Sequence, residues 1–344
     1  MVRIKDEVGS GVAVADRRGL RMASGTRASN TAVSTTSAVT SSQAYVQPRG
    51  RGRRLAAQEW LLFLLFIGPN LIIFGLFTYW PMVENIRLST QRWNMLASTR
   101  RFVGLDNFRY LATDDVFHQV LLNTFYFTGA AVGLSLLLGL AVALLLNQPL
   151  RGRDGARAVV FAPHLLSGAA IGVVWAYIFD PRFGLLAQIL DWFGLSSPDW
   201  LNRPEWAMPA IIIVYVWKNL GFTAVIYLAG LQGIPRDLYD AAKVDGASAF
   251  NRFRSVTLPM LSPITFFLVV TSILSTFQSF DIIRVMTRGG PVDATNTLIY
   301  YVWDEAFQRS NAGRAAAAAM VLFALMMVVT LIQLRYSERR VHYA

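Results

Sequence analysis

Residues able to do covalent chemistry are scarce in this chain, and their spacing excludes most reactions. It has no cysteine, so disulfides, thiolate nucleophiles, zinc fingers and iron–sulfur clusters are excluded. Its three histidines, His118, His164 and His342, lie far apart and form no metal-ligand spacing. Its three lysines, Lys5, Lys218 and Lys243, never follow a glycine. A phosphate-cradling loop ends in Gly-Lys-Ser/Thr so that the lysine reaches the phosphates, so the chain carries no P-loop. No Ser/His/Asp grouping or carboxylate pair falls on a common predicted helix face, and an enzyme is not expected.

Other polar residues draw attention through their surroundings. Lys218, between Trp217 and Asn219, sits mid-way along a long apolar stretch, where a charge is costly unless it faces protein or water. It could meet a passing solute, with Trp217 stacking on a sugar or polyol face. It could equally pair with a carboxylate, a helix C-terminus or another subunit. Gln278, Ser279 and Asp281 lie toward one end of a second apolar stretch. They either line a passage or hold helices together. His164, after Pro163, reads as a helix-end hydrogen-bonding group. Asp180-Pro181 and Gly184 read as a structural turn.

The elements that must position these residues follow from composition. The 344 residues are 54% hydrophobic and 15% charged, with a mean hydropathy of +0.41; soluble domains average about 25% charged. The chain reads as an all-α integral membrane protein. Six stretches are long enough to cross a membrane as helices, near 60–80, 122–147, 158–179, 207–232, 262–283 and 316–334. Gly129/Gly133 and Gly168/Gly172 would allow close helix packing.

The net charge of +11 would suggest nucleic acid in a soluble protein, but its distribution points to topology instead. With the N-terminus inside, the inner segments carry about twice as many basic as acidic residues and the outer segments carry equal numbers. Both termini are therefore expected in the cytoplasm, with lipid as a partner and nucleic acid not. Residues 1–56 are expected to form a disordered cytoplasmic tail, since eleven of the nineteen residues from Ser24 to Ser42 are Ser or Thr. The tail ends in the basic run Arg49, Arg51, Arg53 and Arg54. It reads as a solvated leader, with contact to anionic lipid the alternative, and not as a secretory signal.

Between the fourth and fifth crossings, the inner loop 233–261 reads as a helical finger. Pro235 suits a first helical turn and Asp237 its positive end. Leu238, Ala241, Ala242 and Asp245 then share one face, and Gly246 permits a chain reversal. A second short helix through Phe250 and Phe253 precedes Leu258-Pro259.

This loop resembles the coupling loop of ABC importer permeases: Glu-Ala-Ala, three residues, Gly, nine residues, Ile, one residue, Leu-Pro. Here the corresponding residues are Asp240-Ala241-Ala242, Gly246, Val256 and Leu258-Pro259, with Asp in place of Glu and Val in place of Ile. Phe102-Val103-Gly104-Leu105-Asp106-Asn107-Phe108, Asn123-Thr124, Gly289-Gly290-Pro291, Thr297-Leu298-Ile299-Tyr300-Tyr301 and Ala306-Phe307 are similar to the maltose type. Val216-Trp217-Lys218, 231–236, 289–292 with Ala294-Thr295, Arg335-Tyr336 and Val341-His342-Tyr343 resemble the glycerol-3-phosphate branch of that type.

The resemblance covers about Leu61 to the C-terminus. It implies a type I permease fold of six crossings, both termini inside, in a bacterial inner membrane. It further implies a second similar permease, two copies of a cytoplasmic ATPase that bind ATP and magnesium, and an external solute-binding protein. This chain would bind no cofactor itself. Asp240, Ala241, Ala242, Asp245, Gly246, Leu258 and Pro259 would dock the ATPase. The implied solute is sn-glycerol 3-phosphate or a glycerophosphodiester. A maltose- or trehalose-type sugar is the alternative, and a stand-alone ion-driven carrier is the reading from another class.

Overall fold

A computed structural model of the chain describes residues 52–96, 99–149 and 152–340. The expected tail lies outside the described residues up to 51, and the described chain enters helix at Gly52. Residues up to Leu64 form one unit and those from Leu65 onward another. In the first, the described residues are the start of α1 (Gly52–Phe74).

In the second unit, α1 passes through a π-helical turn, Gly75–Tyr79, into α2 (Trp80–Ser89). The wider turn accommodates Pro81, which has no N–H to donate to the preceding turn. A two-residue hairpin pairs β1 (Gln91–Arg92) with β2 (Arg101–Phe102). Then come α3 (Asp106–Thr113), α4 (Asp115–Leu146), α5 (Arg153–Leu165), α6 (Gly168–Ile178), α7 (Leu185–Trp192) and α8 (Pro204–Gly233). The finger comprises α9 (Arg236–Val244), α10 (Ala249–Arg252), a π-helical turn Phe253–Thr257 and α11 (Leu258–Met260). The chain ends with α12 (Ser262–Phe277), α13 (Asp281–Met286), α14 (Leu298–Trp303), a π-helical turn Asp304–Gln308 and α15 (Ala312–Arg340).

Helix α8 is the axis of the fold. Its apolar residues surround it on all sides, as befits a buried helix, and Ile211, Val214, Ala224 and Tyr227 are fully enclosed. It packs along α4 on one side and α5 on another. At Gly221 the α5 backbone comes so close that a Cβ would run into Val160 and Phe161. One apolar cluster joins α4, α6, α8 and α13 around Phe127, Ile211 and Ile283. A second joins α3, α4, α12, α14 and α15 around Leu111, Phe277 and Tyr301. A third ties α8 to α12 and the finger around Tyr227, Leu231, Ile234 and Leu261.

Among the described residues, five spans are long and apolar enough to cross a membrane: Leu62–Ser89, Asp115–Leu146, Pro204–Gly233, Ser262–Met286 and Ala312–Gln333. The expected third crossing, 158–179, is not one helix. It is broken into α5 and α6, which meet at 101°, and counts as a sixth span only if the bent pair is taken together. Pro163 limits the end of α5, and Leu166 and Ser167 are extended, with ψ of 148° and 135°. The expected fifth crossing, 262–283, is likewise interrupted at residues 278–280 between α12 and α13. A hydropathy window averages over both breaks, because each is short and the helices on either side are largely apolar.

Of the two glycine pairs, Gly168 and Gly172 do bring helices together. A Cβ at Gly172 would lie 3.0 Å from Val285 Cβ on α13. Gly129 and Gly133 face open space in this chain.

Candidate functional site

The two helix breaks open into one cleft of about 240 Å³, lined by Gly168, Tyr215, Lys218, Asn219, Ser275, Gln278, Ser279, Phe280, Asp281 and Ile282. Five of the six candidate pathway residues thus converge, although they come from α8 and from the break leading into α13, some sixty residues apart in sequence. Trp217 stands apart: its ring packs edge-on against Trp175, with centroids 5.4 Å apart. Lys218 Nζ donates to the carbonyl of His164 at 3.2 Å, which is the helix-C-terminus option among those open for it. Asn219 Nδ2 donates to Tyr215 O at 2.9 Å, one turn earlier on its own helix. An adjoining cavity of about 180 Å³ shares Tyr215, Asn219 and Ser275 and adds Ser135, His164, Thr223 and Ser272. Irregular backbone at membrane depth is tolerated where it lines such a cavity, and discontinuous helices mark substrate sites in membrane transporters.

The finger is built much as its residues require. Gly246 has φ of +73°; its N–H donates to Lys243 O at 3.0 Å and that of Ala247 to Ala242 O at 2.9 Å, a Schellman end for α9. Ser248 then caps α10 by accepting from Asn251 N at 3.2 Å. The inner side is anchored: Tyr239 and Thr257 share a hydroxyl hydrogen bond of 3.0 Å, and Tyr239, Val256 and Met260 pack on the α8–α12 cluster. The outer side is not covered by this chain. Leu238, Ala241, Asp245, Val244 and Phe250 are exposed, as are Leu258 and Pro259, with Ala242 half-buried. Lys243 Nζ meets Asp240 Oδ1 at 2.7 Å on the surface and holds that carboxyl below its ordinary range.

On the side of the molecule away from the finger, sequence stretches distant from one another are stitched together. Asn123 Nδ2 donates to Asp293 O at 2.7 Å and Asn296 O at 3.0 Å. Thr124 Oγ1 accepts from Leu298 N at 2.8 Å. Thr295 Oγ1 donates to Gly290 O at 2.7 Å, beside a cis Gly290-Pro291 bond. Asp180 is the expected turn: its Oδ1 accepts from the backbone N of Arg182 and Phe183, each at 2.8 Å. Those bonds, that of Phe183 first, hold its carboxyl below the ordinary range.

Sequence reasoning missed Tyr239 and Thr257, whose pairing across the finger leaves no periodic trace, and Ser275, which lines the cleft from the last turn of α12.

Residues 124–343 match the family model described as "binding-protein-dependent transport system inner membrane component". The chain belongs to this family. It is a multi-pass membrane permease of an ABC transporter and not itself an enzyme; ATP is hydrolysed by a separate ATPase. The permease is 35% identical over 286 residues to the sn-glycerol-3-phosphate transport system permease protein UgpA of Yersinia pestis bv. Antiqua, covering 83% of this chain and 96% of that one. It is 36% identical over 278 residues to a probable ABC transporter permease of Pyrococcus horikoshii, covering 80% and 95%. A crystal structure of a bacterial alginate ABC transporter, in complex with an alginate pentasaccharide-bound periplasmic protein, shares the fold. Its TM-score is 0.73 at 24% identity, over 84% of this chain and 98% of that one.

Proposed function

We propose that this permease forms half of the membrane pathway of an importer for sn-glycerol 3-phosphate or a glycerophosphodiester. The observation that carries the solute class is the likeness to the Yersinia pestis permease along nearly all of that protein. A neutral oligosaccharide is the second reading. It is favoured by Lys218, whose Nζ is already engaged with the His164 carbonyl and so leaves less of its charge for a phosphate. Binding measurements on the companion solute-binding protein test the choice. Affinity for glycerol 3-phosphate with none for maltose is expected, and the reverse overturns the phosphate reading.

The other half of the pathway is a second, similar permease, and two copies of an ATPase sit on the cytoplasmic side. ATP and magnesium belong to the ATPase, and this chain holds no cofactor. Both termini and the finger face the cytoplasm of a bacterium, and residues 1–56 act as a cytoplasmic leader.

The exposed face of the finger, with Asp240, Ala241, Ala242, Asp245, Gly246, Leu258 and Pro259, docks in the ATPase. Helices α8 and α12 flank the finger; α8 carries Lys218 and Asn219 at the cleft, and α12 ends there at Gln278 and Ser279. From Gly233 to Lys218, and from Ser262 to Gln278, each lever is roughly 22–24 Å at 1.5 Å per residue. A push on the finger therefore moves both walls of the cleft together. Because ATP can bias the cleft only through a difference in binding between two states, this rigid pair is the route by which that difference reaches the solute. Gly246→Asp tests it. Uptake in proteoliposomes is expected to fall about tenfold or more while the ATPase still turns over, since the Schellman end orients the docking face. Unchanged uptake would remove the finger from the coupling path.

A further inference from the structure

The break in the third span ends two helices within the apolar layer. Each end leaves backbone groups that lipid cannot satisfy. The C-terminal end of α5 presents carbonyls and partial negative charge; the N-terminal end of α6 presents N–H groups and partial positive charge.

Two of the residues lining the cleft are charged, Lys218 and Asp281, and one lies against each end with the matching sign. Lys218 Nζ donates to His164 O, in the last turn of α5. Asp281 packs on Gly168, the first residue of α6. A Cβ added there would lie 3.1 Å from Asp281 Cβ and 3.3 Å from Oδ2, so a side chain at 168 would press the carboxylate back by a few tenths of an ångström. Asp281 itself opens α13, and α13 continues along α6 with Val285 and Met286 against Gly172. The two charges therefore come from the two elements that flank the break, α8 and α13, and each is held in place by the packing of its own helix.

We propose that Lys218 and Asp281 are positioning residues that sit against the two ends of the broken third span, Lys218 through its hydrogen bond to His164 O and Asp281 through its charge beside the first turn of α6, and thereby set the width of the cleft. The pair acts on the helix ends and not by touching solute. The inference goes beyond the solute reading and holds for whichever solute the cleft accepts.

The chain has no native cysteine, which supplies a solute-independent test. Ser167→Cys at the break, in the complete importer in proteoliposomes, reports the joint through its rate of reaction with a membrane-permeant maleimide. Glycerol 3-phosphate uptake gives KM and maximal rate in parallel. Lys218→Gln keeps a neutral donor for the His164 carbonyl but no charge, and Lys218→Met keeps neither. The Gln variant is expected to stay within about twofold of the parent in labelling and KM. The Met variant is expected to change labelling and lower maximal rate by about tenfold, the cost of leaving the part-buried His164 carbonyl without its partner.

The exchanged pair, Lys218→Asp with Asp281→Lys, is expected to be at least as impaired as the Met variant, because each charge then faces the wrong helix end. Rescue by that exchange would mean that the two residues serve as a simple ion pair, and would overturn the proposal. So would a raised KM in both the Gln and Met variants with unchanged labelling, which makes Lys218 a solute contact, or unchanged labelling in the Met variant. Co-purification with the second permease and the ATPase verifies folding of each variant. If the solute reading is wrong, the parent takes up no glycerol 3-phosphate, while the labelling comparison still decides the joint.

Discussion

Asn123 makes plain how much a single amide holds together. Its Nδ2 supplies both protons to carbonyls of the 293–296 loop, and its Oδ1 accepts from Gln119 Nε2 at 2.9 Å. The site is 6% exposed, so water cannot replace these bonds. Asn123→Ala is expected to destabilise the permease by about 1–3 kcal/mol, read as a lower denaturation midpoint in detergent. Asn123→Asp is expected to be worse, because a carboxylate would face two carbonyls with no proton to offer; a milder effect than Ala would mean the loop is held from elsewhere. Glu305 has a different residue-scale consequence. It is 1% exposed, and burial lifts its carboxyl above the ordinary value despite Asn311 Nδ2 at 3.1 Å and Arg309 at 3.5 Å. A raised folded pKa means that the native state binds the proton more tightly than the unfolded chain. The associated stability is complete below the unfolded value near 4.5 and is lost as pH rises through the folded one. Amide exchange across 298–311 should therefore quicken as pH is raised through this window, after correction for intrinsic rates. Glu305→Gln should flatten that dependence, and an unchanged slope would assign it to another group.

At the scale of elements, some structure was legible and some was not, for identifiable reasons. The finger could be read because its turns rest on local chemistry: Pro235 where α9 begins and Gly246 at positive φ where it ends; the Ser248 cap went unread. The convergence of Lys218 with Gln278, Ser279 and Asp281 was half legible. A polar residue in an apolar stretch must face something, but which partner it meets depends on two helix breaks that hydropathy does not register. The 101° bend at Leu166–Ser167 turns the third span, which reads as a plain crossing, into a wall of the cleft. Tyr239 was hidden for the opposite reason, since its partner Thr257 lies eighteen residues away across a chain reversal. Removing that link tests whether the finger is rigid enough to act as a lever. Tyr239→Phe keeps the ring in its apolar cluster and deletes only the hydroxyl, for an expected loss of about 0.5–1.5 kcal/mol. Exchange of amides in 236–257 should accelerate, and uptake per ATP hydrolysed should fall while membrane insertion is unaffected. Loss of exchange protection without loss of coupling would mean that the finger works as a flexible tether.

At the scale of the whole molecule, charge and shape make one argument about orientation. The basic excess gathers in the leader, the 148–157 segment, the finger and the C-terminal end, while the opposite segments balance their charges. Positive charge is retained on the cytoplasmic side during insertion; the proposed orientation puts these four segments on that side, and it requires an even number of crossings. The bent pair α5–α6 is decisive here. Counted as one span it preserves the even number; as a re-entrant loop it would leave five and place the finger and the C-terminus on opposite faces of the bilayer from those the charges require. Because the chain is cysteine-free, single cysteines can map this directly. Residues replaced by cysteine at Ser248 in the finger and at Ser310 beyond α14 should react oppositely. The Ser248 site is expected to react with an impermeant thiol reagent only after the membrane is opened, and the Ser310 site in sealed cells. A Ser248 site that reacts in sealed cells would place the finger outside, beyond the reach of any cytoplasmic ATPase, and the coupling argument would fall with the topology.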